Sequence, residues 1–169
     1  MNRIVLCFSL AVMLCFAGNG LAQTFNVPQN PKLEKESDYA AYAKDVIACV
    51  NWLEQTPLDK DAAKRDEANH FLMLWIQGSP DVTISIHDYV GKFAEINPEF
   101  LMAFMGGWTR YVLEKKDTDE LAGNMAGVQS VLHLYEISSS VKRNDELDKL
   151  VKLSKEGKLK EWVQQRVKK

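Results

Sequence analysis

The sequence is poor in cysteine and histidine, with three of each in 169 residues. Two of the cysteines, Cys7 and Cys15, lie in an N-terminal apolar stretch, so Cys49 is the only cysteine in the rest of the chain. A single cysteine cannot form an internal disulfide, and the core alone must then stabilise the fold. Cys49 follows a helical pattern and no nucleophile signature surrounds it. We therefore expect a buried structural thiol.

Several motifs that carry chemistry are absent. The histidines at positions 70, 87 and 133 are scattered, and there is no His-Glu-x-x-His, so no metal site is predicted. A Gly-x-Ser-x-Gly elbow and a phosphate-binding glycine loop are also missing, which leaves nucleophilic catalysis and nucleotide binding without support. No cofactor is predicted. Residues distant in the chain can still assemble a site in space, so an enzyme is disfavoured rather than excluded.

The N-terminus has the pattern of a secretory signal peptide. Arg3 precedes an apolar run over residues 4–17, and small residues occupy positions 20 and 22. We predict a signal peptide over residues 1–22, with cleavage between Ala22 and Gln23, and a periplasmic or extracellular protein. Cys7 and Cys15 each follow a leucine rather than a small residue, so a lipid anchor is not expected.

The predicted mature chain of 147 residues is long enough for one domain with a sizeable core. Removing Arg3 takes its formal net charge from −2 to −3, which argues against a general nucleic-acid binder. Residues 142–169 hold ten basic and five acidic side chains. Such a segment is typical of the solvated face of a terminal helix, and contact with an acidic partner or with lipid head groups stays open.

Apolar residues recur at steps of three and four through most of residues 37–169. This pattern predicts an all-α fold, a single compact domain of six or seven helices packed as antiparallel hairpins, after an extended leader over residues 23–36. Val82, Ile84 and Ile86 alternate as in a strand, but no second strand exists to pair with them, so no sheet is expected. The predicted helix starts are Ser37, Asp59 or Asp61, Ser85, Asn97, Asp117, the region of Leu147, and Leu159.

The helix predicted over residues 97–116 is apolar on most sides and therefore central. Its apolar run over residues 100–108 is too short to span a bilayer, which needs about 20 residues. One face carries Gly106, Gly107 and Arg110, although each glycine inside a helix costs roughly 1 kcal/mol relative to alanine. Close packing against the helix that carries Gly123 and Ala126 would explain the glycines, and so would a ligand pocket. A solvated face with an Arg110–Glu114 pair would explain only the charges.

Two resemblances follow from the sequence motifs. GGWTRYVLE followed by LAGNMAGVQSVLHLY, within residues 98–137, resembles a tetratricopeptide helical hairpin, although the Trp-x2-Leu-Gly-x2-Tyr order is absent. The Ala-Gln cleavage site together with WIQGSP and FMGGWTRYVLE resembles small exported all-helical proteins of Bacteroidota that have no assigned activity. This second resemblance spans most of the mature chain and implies no catalytic residues.

Two functional hypotheses remain. The first is an exported helical interaction or scaffolding module whose groove takes a protein or peptide of the cell envelope. The second is a small-ligand binder or hydrolase with a pocket near Arg110. The candidate binding residues are Arg110, Gly106, Gly107 and His133, and a cavity shared by Arg110, His133 and a carboxylate would favour the pocket. No stable membrane insertion after signal cleavage is expected, and the oligomeric state is left open.

Overall fold

The computed structural model describes residues 25–167, and all their regular secondary structure is helical. The all-α prediction is confirmed. The predicted signal peptide lies outside the described residues. The eight helices found in residues 25–167 are α1 (Glu36–Ala41), α2 (Ala43–Gln55), α3 (Ala62–Gly78), α4 (Asp88–Ile96), α5 (Glu99–Lys115), α6 (Glu120–Ile137), α7 (Asp145–Lys155) and α8 (Leu159–Val167).

The predicted count of six or seven helices is slightly too low, because the first predicted helix is divided at Tyr42. Tyr42 has φ −88° and ψ 1°, outside helical geometry. The indole Nε1 of Trp75 donates to the carbonyl oxygen of Tyr39 at 3.0 Å, which is the oxygen that a continuous helix would offer to Ala43. At the break between α1 and α2, a side chain of α3 thus takes the carbonyl oxygen that would otherwise continue the helix.

Helix α5 lies at the centre of the domain and packs on α2, α3, α4 and α6. Its largest interface is with α6, and the two helices run antiparallel: a Cβ on Gly123 would meet Trp108, and one on Gly127 would meet Phe104. Phe104 is fully buried and Trp108 nearly so. The glycines of α6 thus leave room for the two large aromatic side chains of α5.

Helices α2 and α3 form the antiparallel pair that their short connection predicts. The Cys49 thiol on α2 donates to the carbonyl oxygen of Ala68 on α3 at 3.4 Å, and Tyr42 lies edge-on to Phe71. Cys49 is fully buried, as predicted. Burial raises the pKa of its thiol to about 12.

Three helix starts differ from the sequence prediction. Helix α1 begins at Glu36, so Ser37, the predicted cap, lies inside its first turn. Helix α4 begins at Asp88 rather than after Ser85, and Ile86, expected on its inner face, is 53% exposed. Helix α6 begins at Glu120, because Asp119 accepts the N–H of Ala122 at 2.7 Å and so takes the capping role predicted for Asp117. No strand occurs in residues 25–167, in agreement with the prediction for residues 82–86.

The two ends of the described chain pack on the helices. Phe25 is 5% exposed and its ring lies 6.5 Å from that of Trp52 on α2, so the start of the predicted leader is anchored. Near the other end, Trp162 of α8 lies edge-on to Tyr89 of α4 at 5.2 Å. No helix within residues 25–167 is both long and apolar enough to cross a bilayer.

Candidate functional site

An open cleft of about 380 Å³ lies where the last turn of α2 meets α5 and α6. Three of the four candidate residues from the sequence line it, together with a carboxylate that the sequence analysis did not select. The lining residues are Glu54, Gln55, Gly107, Arg110, Tyr111, Glu114, Ala126, Gln129, Ser130 and His133.

The guanidinium of Arg110 is fixed by two side chains of α2. Its Nη1 donates to Oδ1 of Asn51 at 2.8 Å and to Oε2 of Glu54 at 2.5 Å. The Glu54 side chain is 11% exposed and that of Arg110 is 24% exposed. Burying a carboxylate to this degree is costly without a charged or hydrogen-bonding partner, and Arg110 provides one. Arg110 does not form the ion pair with Glu114 that was considered from the sequence. Its acidic partner within residues 25–167 is Glu54.

Ser130 of α6 completes this network. Its hydroxyl is within hydrogen-bond distance of Oε1 of Glu54 and of the carbonyl oxygen of Ala126, and both of these groups only accept. One hydroxyl proton cannot serve both acceptors, and the charged carboxylate is the stronger. Ser130 is 2% exposed. Since its hydroxyl is already committed to Glu54, we assign Ser130 to holding α6 against α2.

The paired glycines of α5 face different neighbours. Gly107 forms part of the cleft floor, where a Cβ would lie 2.7 Å from the carbonyl oxygen of Ala126 and would also clash with Ser130. Gly106 faces the interior, where a Cβ would lie 3.3 Å from Val50 and from Leu72. Close packing of α5 against α6 therefore accounts for Gly107, as predicted. Gly106 does not line the cleft, so it is not retained as a candidate binding residue.

His133 lies on the exposed rim of the cleft, one turn after Ser130. It has no hydrogen-bond partner among residues 25–167, and the nearby Glu136 instead binds Lys155 at 2.7 Å. The cleft thus contains Arg110, His133 and the carboxylate of Glu54, which is the arrangement that the pocket hypothesis requires. The imidazole is available to a ligand but is not oriented by a neighbouring acid.

The ring of Tyr111 forms one wall of the cleft. Its hydroxyl donates to Oδ2 of Asp117 at 2.5 Å, in the connection between α5 and α6. This hydrogen bond raises the pKa of Tyr111 to about 12 and lowers the pKa of Asp117. Asp117, predicted to start a helix, therefore fixes the orientation of a ring beside the cleft.

The last turn of α2 is also held from the opposite side, by Arg65 of α3. The Arg65 guanidinium donates to the carbonyl oxygens of Leu53 and Thr56, and it lies 3.8 Å from Glu99. Burial lowers the pKa of Arg65, and the charge of Glu99 opposes that shift. Arg65 thereby supplies donors to carbonyl groups that a helix end leaves unpaired.

Beside Arg65 lies a small internal cavity that also borders Glu54 and Gly106. Its volume of about 10 Å³ is close to that of one water molecule. Nε of Arg65 and Oδ1 of Asn69 are buried nearby without a protein partner among residues 25–167. This cavity is too small for a ligand.

Two other surface clefts lie elsewhere on the domain. One of about 390 Å³ lies between α4 and the C-terminal helices and includes His87, whose Nε2 is 3.3 Å from Oε1 of Glu120. The other, of about 440 Å³, lies beneath the N-terminal segment and includes His70. Neither has an arginine held by buried partners. Within residues 25–167 no group of three or more His, Cys, Asp or Glu side chains is arranged to hold a metal ion.

Sequence reasoning missed Glu54, although a signal for it exists. Val46, Val50 and Glu54 follow one another at steps of four, so the carboxylate continues the buried stripe of α2. A charged residue on an apolar stripe indicates a buried partner elsewhere in the fold. The sequence does not say which residue that partner is.

Comparison with protein-family models, with curated proteins and with solved structures gave no match for this chain. The resemblance to exported helical proteins of Bacteroidota therefore stays a prediction. Function is accordingly inferred from the geometry of the cleft.

Proposed function

We propose that this protein is an exported helical interaction module that binds a segment of a protein or peptide of the cell envelope in the cleft at Arg110. The observation that carries the proposal is the state of the Arg110 side chain. Nη1 is held by Asn51 and Glu54, whereas Nε and Nη2 have no partner among residues 25–167. An arginine that lines a cleft, with one terminal nitrogen fixed and its other donors unused, is pre-organised to bind an acceptor group.

The form of the cleft supports binding of a partly exposed segment. Gln55, Glu114, Gln129 and His133 are all exposed, so the cleft is open along its rim. Small-molecule sites usually bury most of the ligand among apolar side chains. A side chain or loop that projects from a larger partner needs no such enclosure, because the rest of the partner covers the rim.

The alternative is a small-ligand binder or hydrolase that uses the same cleft. The volume of about 380 Å³ favours the binder, since it falls within the usual range of roughly 300–1,000 Å³ for small-molecule sites. Hydrolysis has less support, because Ser130 is buried and both carboxylate oxygens of Glu54 already accept hydrogen bonds, from Arg110 and Ser130.

Site-specific photo-crosslinking in the native cell tests the proposal. A benzoylphenylalanine at Gln129 would lie on the cleft rim, and the same group at Lys149 of α7 would be exposed but away from the cleft. We expect a discrete cross-linked protein or peptide from position 129 and none from position 149. The cross-link should disappear when Arg110→Gln and Glu54→Gln are combined, a pair that removes the guanidinium without leaving a buried charge.

The same experiment can overturn the proposal. An equal yield of cross-link from the folded double variant, or the same product from position 149, would show that the partner does not use the cleft. A different result would favour the small-ligand alternative: no protein is cross-linked, and a small molecule co-purifies with the wild type but not with the double variant. Thermal melting of the double variant controls for folding.

A further inference from the structure

The charges around the cleft at Arg110 do not favour an anion. Its ionisable lining residues are Glu54, Arg110, Tyr111, Glu114 and His133. The positive charge of Arg110 is matched by Glu54 at 2.5 Å, so this pair presents no net charge to a ligand. Glu114 is exposed and takes part in none of the ion pairs within residues 25–167. The cleft therefore holds two carboxylates against one guanidinium, which is a surplus of negative charge.

The hydrogen-bonding groups of the cleft fit a neutral ligand that both accepts and donates. Arg110 contributes the unused N–H groups at Nε and Nη2, and Glu114 contributes a carboxylate that only accepts. The side-chain amides of Gln55 and Gln129 can do either. Donors and acceptors thus stand on the same rim, as they do on an amide.

The floor and one wall of the cleft add a restriction of shape. Gly107 and Ala126 form the floor, so no large side chain rises from it. The ring of Tyr111 is held in place by Asp117 and forms a wall. A planar group can lie flat on a floor of this kind beside a fixed ring.

From these features we infer that the cleft selects a neutral side-chain amide, that of an asparagine or glutamine, over a carboxylate or phosphate. The inference rests on the proposed function, because it names the chemistry of the segment that enters the same cleft. Glu114 is the residue that determines this selectivity, since it repels an anion and accepts the N–H of an amide.

Amide chemical shifts of the ¹⁵N-labelled protein provide the test, with two matched probes. One probe is N-acetyl-asparagine N-methylamide and the other is N-acetyl-aspartate N-methylamide, which differ only in the terminal group. We expect saturable shifts of the residues that line the cleft, with tighter binding of the asparagine probe. Glu114→Gln should tighten the binding of the aspartate probe about two- to fivefold, as expected for one exposed charge pair.

Glu95→Gln is the matched control, because Glu95 is an exposed helical glutamate that lines none of the described clefts. It should leave both affinities unchanged. Tighter binding of the aspartate probe by the wild type, an equal effect of the two glutamate substitutions, or no shift of cleft residues with either probe would overturn the inference. If the cross-link depends on the cleft but the aspartate probe binds more tightly, only the inferred amide selectivity is wrong. If the asparagine probe binds more tightly but no protein is cross-linked, only the proposed protein partner is wrong.

Discussion

Glu54 and Arg110 are 56 positions apart in the chain and are joined by a hydrogen bond of 2.5 Å between Oε2 and Nη1. The pair connects the last turn of α2 to the central helix, and Ser130 adds α6 through the other carboxylate oxygen. Because Glu54 is largely buried, the arginine that faces the cleft also stabilises the fold. Loss of stability and loss of binding must therefore be separated in any variant of Arg110.

Arg110→Ala is expected to lower the free energy of unfolding by about 2 kcal/mol, because it leaves a buried carboxylate without its charged partner. Combining Arg110→Gln with Glu54→Gln should recover most of that loss, since two amides can hydrogen-bond without a buried charge. Urea denaturation of the single and double variants measures both values. Arg143→Ala is the control: the Arg143 side chain is 65% exposed, and loss of its pair with Asp148 should cost less than about 1 kcal/mol. Equal losses at Arg110 and Arg143 would contradict the prediction.

The glycines of the helices should respond to substitution according to the space around each. Gly107→Leu should destabilise by about 1–3 kcal/mol or more, because Ala126 and Ser130 leave no room for a side chain. Gly91 of α4 is exposed, and a Cβ at that position would have no neighbouring atom within 4 Å, so Gly91→Ala should stabilise by roughly 0.5–1 kcal/mol. Thermal melting would show opposite signs. A stabilising Gly107→Leu would mean that α5 and α6 do not approach closely there.

Cys49 should resist modification and should make stability depend on pH. Its thiol has a pKa of about 12 in the folded protein and an ordinary value near 9.0 when unfolded. Above about pH 9 the unfolded state loses this proton while the folded state keeps it, so stability falls as pH rises, by at most about 1.4 kcal/mol per pH unit. Cys49→Ala should remove this part of the slope. Iodoacetamide should react with wild type only after denaturant is added, and rapid reaction of the native protein would contradict the burial.

Phe25→Ala is expected to destabilise the protein by about 2 kcal/mol, the usual value for burying one such side chain. Phe25 is 5% exposed, next to Trp52, and the Lys64 ammonium lies 5.8 Å from its ring centroid. The neighbouring Asn26 is exposed, so Asn26→Ala is the matched control and should have little effect. Equal urea midpoints for the two variants would show that the N-terminal segment does not contribute to the core.

Export predicts an intact mass that begins at Gln23. The mass of the protein recovered from the cell envelope or medium should correspond to the 147 residues that follow Ala22. Phe25 would then be the third residue of the mature chain. A recovered species that retains Cys15 with a lipid attached would contradict the predicted cleavage.

Much of the fold could be predicted from the sequence, because the residues that start and end helices are local signals. Gly78-Ser79-Pro80 and Asn97-Pro98 mark boundaries that the structure reproduces within a residue or two, and the run after Pro98 correctly indicated the central helix. The break at Tyr42 could not be predicted in this way, because it involves a hydrogen bond to Tyr39 from Trp75 on another helix.

Only part of the candidate site could be predicted from the sequence, because contacts between distant residues leave no local signal. Arg110 and Gly107 stood out because a charge and a glycine are unusual on a core helix. Glu54 and Ser130 are ordinary residues in sequence, and only the packing of three helices makes them neighbours. Gly106 was grouped with Gly107 because they are adjacent, although consecutive helical positions point about 100° apart.

The hydrogen bonds of Glu54 have a consequence for truncated forms of the protein. Its partners follow 56 and 76 positions later, so a fragment that ends before Ser130 cannot contain the complete network. A C-terminal deletion or a proteolytic cut that removes Ser130 would therefore not yield a fragment that retains this surface. The cleft forms only once most of the domain has been synthesised and assembled, so a ligand specific for it would report on complete folding.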